Sequence, residues 1–255
     1  MRYIDTHAHY NDNAFDLNRD EIINSCFNSN IDFIVNVGAD KKSSIESIEL
    51  SNKYDKIYNV IGVHPHDVLN STAQDIYDIY ENYDVRKTRG IGEIGLDYAF
   101  VKDNKDLQKK LFIEQIKLAN TLKLPIIIHS RDAYKDTYDI VKENIAEYGV
   151  LFHCFHPTDE LVRLVLDRNY MVAFGGNITY KRSKSFYELV KKIPAENIMI
   201  ETDSPYLPPE PHRGTTNSSL NLPIILKKLA EIKQIDEEEL SKIVYDNSVK
   251  FFKLK

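Results

Sequence analysis

The sequence predicts a (β/α)8 barrel of the TIM type, folded as a single domain over residues 1–255. Three observations lead there. Eight short β-rich runs recur at intervals of roughly 20–36 residues, the spacing of βα units rather than of hairpins. The runs are apolar nearly throughout, as parallel strands covered on both faces must be. Helical periodicity fills the gaps between them, and eight strand–helix units in about 250 residues are what a TIM-type barrel needs.

The runs, in order, are Arg2–Asp5, Asp32–Val37, Ile57–Val63, Arg89–Ile94, Pro125–His129, Val150–His153, Tyr170–Phe174 and Ile198–Glu201. Between Asp106 and Lys123, residues Leu107, Leu111, Phe112, Ile116, Ala119 and Leu122 recur at three- and four-residue steps with lysines between them, which predicts an amphipathic helix. Asp236 with Glu239 reads as a capping box opening a last helix that ends at Phe251-Phe252. Gly38, Gly62, Gly95 and Gly175 fall at or near strand ends, where the chain turns. An open doubly wound sheet is the rival fold, but no Gly-x-Gly-x-x-Gly or phosphate loop follows any strand.

Composition narrows the classes. With 42% hydrophobic and 28% charged residues, this is an ordinary globular chain, not a disordered, collagenous or coiled-coil one. No run approaches the ~18 apolar residues of a membrane span, so no membrane association is expected. The opening Met-Arg-Tyr-Ile-Asp-Thr-His has no apolar segment, so no secretory signal is expected either. Cys26 and Cys154 cannot build a disulfide framework, which fits a reducing cytoplasm. No obligate protein partner is evident. A net charge of −6 argues against nucleic-acid binding through bulk charge, so any grip on phosphate has to be local.

The polar residues at strand ends carry the chemistry. The first strand runs into Asp5-Thr6-His7-Ala8-His9, and side chains two apart on a strand project together. Imidazoles so placed suit a transition metal. Glu93 interrupts the apolar fourth run, where a carboxylate must be paired or metal-bound. The fifth run ends at His129, the sixth at His153, and the eighth leads to Glu201-Thr202-Asp203. In a barrel these ends share the face that carries active sites. Six ligands (His7, His9, Glu93, His129, His153 and Asp203) exceed the three or so protein ligands of one catalytic zinc. They suit two divalent cations, with Glu93 placed to bridge and Asp203 both ligand and acceptor of the attacking water's proton.

These residues resemble the TatD-related deoxyribonucleases of the metal-dependent amidohydrolase superfamily. The resemblance runs over the whole chain: Asp5-Thr-His-Ala-His9, Gly62-Val-His-Pro-His66, Gly92-Glu-Ile-Gly-Leu-Asp97, Pro125-Ile-Ile-Ile-His129-Ser-Arg131, His153-Cys-Phe155, Glu201-Thr-Asp-Ser-Pro205, and Arg213-Gly214 with Asn217. It implies a TIM-type barrel, two divalent cations (Mg, Mn or Zn), ligands at the six positions above, and hydrolysis of DNA phosphodiesters, often as an exonuclease. It also implies that Glu93 stands where other branches of the superfamily use a carboxylated lysine. One departure is visible: members often carry Lys-Arg-Asn-Glu-Pro after the Arg-Gly pair, whereas Thr215-Thr216-Asn217-Ser218-Ser219 follows here, two basic charges short.

DNA, preferentially single-stranded, is therefore the expected substrate. Arg131 and Arg213 are the candidates for gripping phosphate, with Lys181, Arg182 and Lys184 nearby in the loops and Tyr10, Tyr98, Phe100 and Tyr180 available to stack on bases. His64 is placed near substrate, while His66 caps a helix or faces solvent. Asp97 and Glu201 are placed to orient ligating histidines, and Cys154 is read as packing. The alternative is a hydrolase of a small ester, amide or aminoacyl-RNA bond on the same metal site; a non-enzymatic metal-binding role is the third reading.

Overall fold

The computed structural model describes residues 1–100 and 103–255. All eight expected strands form, and they follow one another in the order β1 to β8 in one parallel eight-stranded sheet, the pattern of a TIM-type barrel. By compactness the chain divides into two units, Met1–Asn36 with His153–Lys255, and Val37–Phe152.

The first unit carries β1 (Tyr3–Ala8), β2 (Ile31–Val37, whose last residue opens the second unit), β7 (Met171–Phe174) and β8 (Ile198–Ile200). β1 pairs with β2, β7 with β8, and a parallel bridge joins Ala8 to Ser204 just beyond β8. The last two long helices, α8 (Leu222–Lys233) and α9 (Glu237–Phe252), pack on this unit's β1 and β8 and bury Ile225, Leu226, Leu229, Leu240, Val244 and Phe252. Asp236 caps α9 by accepting the backbone N–H groups of Glu238 and Glu239.

The second unit carries β3 (Ile57–Ile61), β4 (Thr88–Asp97), β5 (Ile126–Arg131) and β6 (Val150–Phe152), paired in that order. Its central helix α4 (Lys105–Leu122) packs on β4 and buries Leu111, Phe112, Ile116 and Ala119 as the periodicity requires. Leu107 departs from that pattern: it lies exposed in the first turn, and its neighbour Gln108 is the buried residue. Gln108 and Gln115 both reach back from α4 to strand-end backbone. Gln108 accepts from Asp97 N–H (2.9 Å) and donates to Asp97 O (3.1 Å). Gln115 does the same at Val63 (2.8 and 2.9 Å). A buried peptide group left unpaired is costly, so these amides let β3 and β4 end inside the protein.

Strand ends shift by a few residues from their expected limits, with consequences for the site. β1 runs on to Ala8, so His7 belongs to the strand itself. β6 stops at Phe152 and β8 at Ile200, so His153, Glu201 and Asp203 stand in the connections that follow. Gly95 marks the close approach of β4 to β5: its φ is +137°, and a Cβ there would lie 2.0 Å from His129 O. Both cysteines are free thiols. No helix among the described residues is long and apolar enough to cross a membrane.

Candidate metal centre

In the first unit, β1 delivers His7, fully buried, and the turn after it delivers His9, 8% exposed. Their Nε2 atoms face each other at 3.1 Å. Asp203 Oδ1 stands 3.3 Å from His9 Nε2 and 3.8 Å from His7 Nε2. The His153 ring stacks on that of His7, with centroids 4.0 Å apart. One ligand atom from each of His7, His153 and Asp203 falls within a 4.8 Å group. Burial alone would raise the Asp203 carboxyl, but its contact with His9 and the neighbouring His153 and His7 rings outweigh this and hold it below the usual carboxylate range.

Glu201, fully buried, accepts Cys154 N–H at Oε1 (2.6 Å), and the same oxygen lies 3.3 Å from His153 Nδ1. Glu201 thus lies beside the His153 ring, on its Nδ1 side. Cys154 does more than pack. Its φ is +44°, its backbone N–H binds Glu201, and its sulfur accepts from Asn177 Nδ2 at 2.9 Å. Strand alternation could not foresee this, because β6 has already ended.

Beneath β1 lies a buried polar chain that no sequence pattern signalled. Asp5 accepts from His7 N–H (3.3 Å), Thr202 N–H (3.0 Å), Thr202 Oγ1 (2.5 Å) and Ser219 Oγ (2.6 Å). Ser219 in turn meets the Tyr10 hydroxyl at 2.8 Å. Tyr10 is wholly buried, which removes it from the candidates for base stacking. Burial pushes the Asp5 carboxyl up to about 7 despite its four donors.

In the second unit, Glu93 Oε1 lies 2.8 Å from His129 Nδ1 and 3.7 Å from His64 Nε2. His64, Glu93 and His129 form a second group of ligand atoms within 4.8 Å. His64 therefore belongs with Glu93 and His129 rather than standing apart. Burial holds its imidazole well below the ordinary histidine range, so it is neutral at pH 7. Asp97 Oδ2 lies 3.1 Å from His129 Nε2, placed to orient that ring. Burial raises the Asp97 carboxyl, yet its bonds with His129 and the Phe100 N–H prevail and drive it far below its usual range. The same oxygen meets His66 Nε2 at 3.0 Å, so His66 shares the carboxylate that holds His129. The pattern His64-Pro65-His66 was the available sequence signal.

The donor sets fit divalent cations. Ligand atoms bound at about 2.0–2.1 Å around one tetrahedral ion lie roughly 3.3 Å apart. The contacts of 3.1, 3.3 and 3.8 Å in the first unit bracket that separation, as do those of 2.8 and 3.7 Å in the second.

The basic candidates occupy more exposed ground. In the second unit, Arg131 lays its guanidinium over the exposed Phe100 ring, 4.7 Å from the centroid. In the first, Arg213 lies 4.5 Å over Tyr180 and 3.8 Å from Glu210. Lys181 and Lys184 are exposed, but Arg182 is partly buried over Phe186 and donates to Asn177 O. Tyr98 is engaged, its hydroxyl donating to Asp136.

A family model described as TatD related DNase matches residues 4–253. An uncharacterized metal-dependent hydrolase of Bacillus subtilis, YabD, is 39% identical over 98% of both chains. Another from Methanocaldococcus jannaschii, MJ1582, is 32% identical over 99% of this chain and 98% of its own length. Among solved structures, the TatD homologue YJJV of Escherichia coli superposes with a TM-score of 0.92 over 100% of this chain and 99% of that one, at 23% identity. A TatD family hydrolase of Entamoeba histolytica gives 0.86 over 100% and 99%, also at 23%.

Proposed function

The chain belongs to the TatD-related DNase family and is a metal-dependent hydrolase, and on that premise we propose that it is a deoxyribonuclease that hydrolyses phosphodiester bonds, preferentially in single strands. The observation that carries the reading is that each unit holds both an arginine–aromatic platform, Arg131 on Phe100 in the second and Arg213 on Tyr180 in the first, and a group of largely buried imidazole and carboxylate side chains. A planar guanidinium binds two phosphate oxygens, and a ring beside it offers a face to a base.

His7, His9, His153 and Asp203 would hold one divalent cation and His64, Glu93 and His129 a second, Mg, Mn or Zn. When bound, such ions polarise the scissile group and make water a better nucleophile near neutral pH. The chain supplies the rest. Asp203, held ionised by the histidines around it, accepts the proton of the attacking water at its carboxylate. Glu93 holds the His129 ring from one side and Asp97 from the other. Arg131 and Arg213 grip phosphates of the strand.

A second reading, a hydrolase of a small ester, amide or aminoacyl-RNA bond, draws support from the exposed Thr215-Thr216 pair, which offers no charge beside Arg213. The deciding experiment incubates the protein with Mg, Mn or Zn and end-labelled single- and double-stranded DNA, beside a panel of small esters. DNA cleavage that exceeds ester turnover supports the nuclease; ester hydrolysis with intact DNA overturns it.

A further inference from the structure

We propose that Asn217 is a positioning residue: its side-chain amide locks the turn that carries Asp203. The inference rests on the hydrolase reading for the role of Asp203, and on geometry alone for the lock.

Asp203 has a φ of +57° and, four residues on, Leu207 has a φ of +50°. Left-handed conformations of residues with a Cβ persist only where surrounding structure over-determines them. Here one side chain addresses both. Asn217 Nδ2 donates to Thr202 O and to Tyr206 O, each at 2.8 Å. These are the carbonyls that immediately precede the two left-handed residues. The peptide plane entering Asp203 is thereby held at both ends, since Asp203 N–H donates to His7 O at 2.8 Å. The plane leaving Asp203 is held by Tyr206 N–H donating to Asp203 O at 2.8 Å.

Asn217 is itself immobilised. It is fully buried, its N–H donates to Pro205 O (3.0 Å), and its Oδ1 accepts from Ser218 N–H (2.9 Å) and Asn221 Nδ2 (2.8 Å). Every polar atom of the side chain is used, in the orientation that aims both donors at the turn. Rotation of the plane before Asp203 would swing its carboxylate away from His9 Nε2, now 3.3 Å distant. Asn217 acts through backbone, since both of its amide hydrogens end on carbonyl oxygens of the turn.

The test compares Asn217→Ala and the milder Asn217→Ser with Asn197→Ala. Asn197 makes a similar buried clamp in the same unit, donating to Tyr170 O and Asn169 Oδ1. Its loss reports general destabilisation only. Amide hydrogen exchange on the metal-free proteins should speed up at Asp203 and Tyr206 in the Asn217 variants by at least ~10-fold and stay unchanged there in Asn197→Ala. Titration with Mn2+ should show affinity weakened by about 10–100-fold in Asn217→Ala. With saturating Mn2+, kcat should fall while KM changes little. Should Asn217→Ala fail to fold, Asn217→Ser carries the same measurements. Unchanged exchange at both amides, or equal losses in Asn197→Ala, would overturn the proposal. If the unaltered protein bound no Mn2+, the hydrolase reading would fail, while faster exchange in the variants would still establish the lock.

Discussion

Asp203 is fixed by β1 and by the turn that follows it: its backbone N–H donates to His7 O, and its carboxylate stands 3.3 Å from His9 Nε2. Backbone and side chain thus fix one carboxylate against two imidazoles of Asp5-Thr-His-Ala-His9. This double attachment makes Asp203 the group to test first. Asp203→Asn keeps the shape and the backbone bond but removes the charge that takes a proton. We expect kcat to fall by at least ~10²-fold with KM little altered, as for loss of a general base. Steady-state kinetics on a variant shown to hold its full complement of metal decide it, and a near-normal kcat would assign the proton to another group.

Removing metal should abolish hydrolysis, and Mg, Mn or Zn should restore it. Two ligand groups, one in each unit, predict two cations per chain by equilibrium dialysis. Undiminished cleavage after exhaustive chelation would exclude the proposed chemistry.

Asp97→Asn isolates the support of His129. The change keeps Oδ1, which accepts from Ala99 and Phe100 N–H, and replaces Oδ2, which faces His129 and His66. An amide NH2 there cannot accept from an imidazole N–H, so the ring loses its orientation. Metal affinity should drop about 10–100-fold with the fold intact. Isothermal titration with Zn2+ and a thermal melt on the same sample measure the two effects separately.

Much of this was legible in the sequence, because the signals were local. Eight apolar runs set the strand count, and a histidine or carboxylate at the end of each of several strands marked the candidate ligands. What stayed hidden depends on partners distant in sequence. Nothing near Asn217 announces that its amide spans Thr202 and Tyr206. Nothing near Gln108 says that it replaces Leu107 in the core to satisfy Asp97. Tyr10 sits beside His9 and looked available to substrate, yet Ser219, some two hundred residues on, draws its hydroxyl inward. Cys154 looked like packing because its turn, with a φ of +44°, lies beyond the last residue of β6, where no strand pattern applies.

Asp5 makes stability depend on pH. Its carboxyl is raised to about 7 in the folded protein, against 3.8 for an unperturbed group. Between those values the folded state holds more protons than the unfolded one, so this residue's contribution to stability falls as pH rises from about 4 towards 7. Asp5→Asn has no such titration. The difference in unfolding free energy between the unaltered protein and Asp5→Asn, both metal-free, should therefore shrink with rising pH, by up to a few kcal/mol. Denaturant melts at pH 5, 6, 7 and 8 measure it; a difference that is flat, or grows, would mean Asp5 stays ionised throughout.

The grip on DNA should be local to the two arginines. The chain carries a net charge of −6, so the field of the whole surface repels a polyanion. Arg213 is exposed, and its one described ion pair, with Glu210 at 3.8 Å, is too long and too wet to consume its charge. Arg213→Gln should weaken single-strand binding and flatten its dependence on log salt by about 0.7 for each phosphate no longer gripped. Arg131→Gln should do the same, and neither change should alter metal content or the hydrolysis of a small neutral ester. Neutralising Lys181 and Lys184 together is the companion test and leaves Arg182 in place, because Arg182 is partly buried over Phe186 and its loss would disturb packing. Fluorescence anisotropy with a labelled oligonucleotide across a salt series gives the slopes. Slopes unchanged in both arginine variants would make these groups solvated surface and shift the balance to a small-substrate hydrolase.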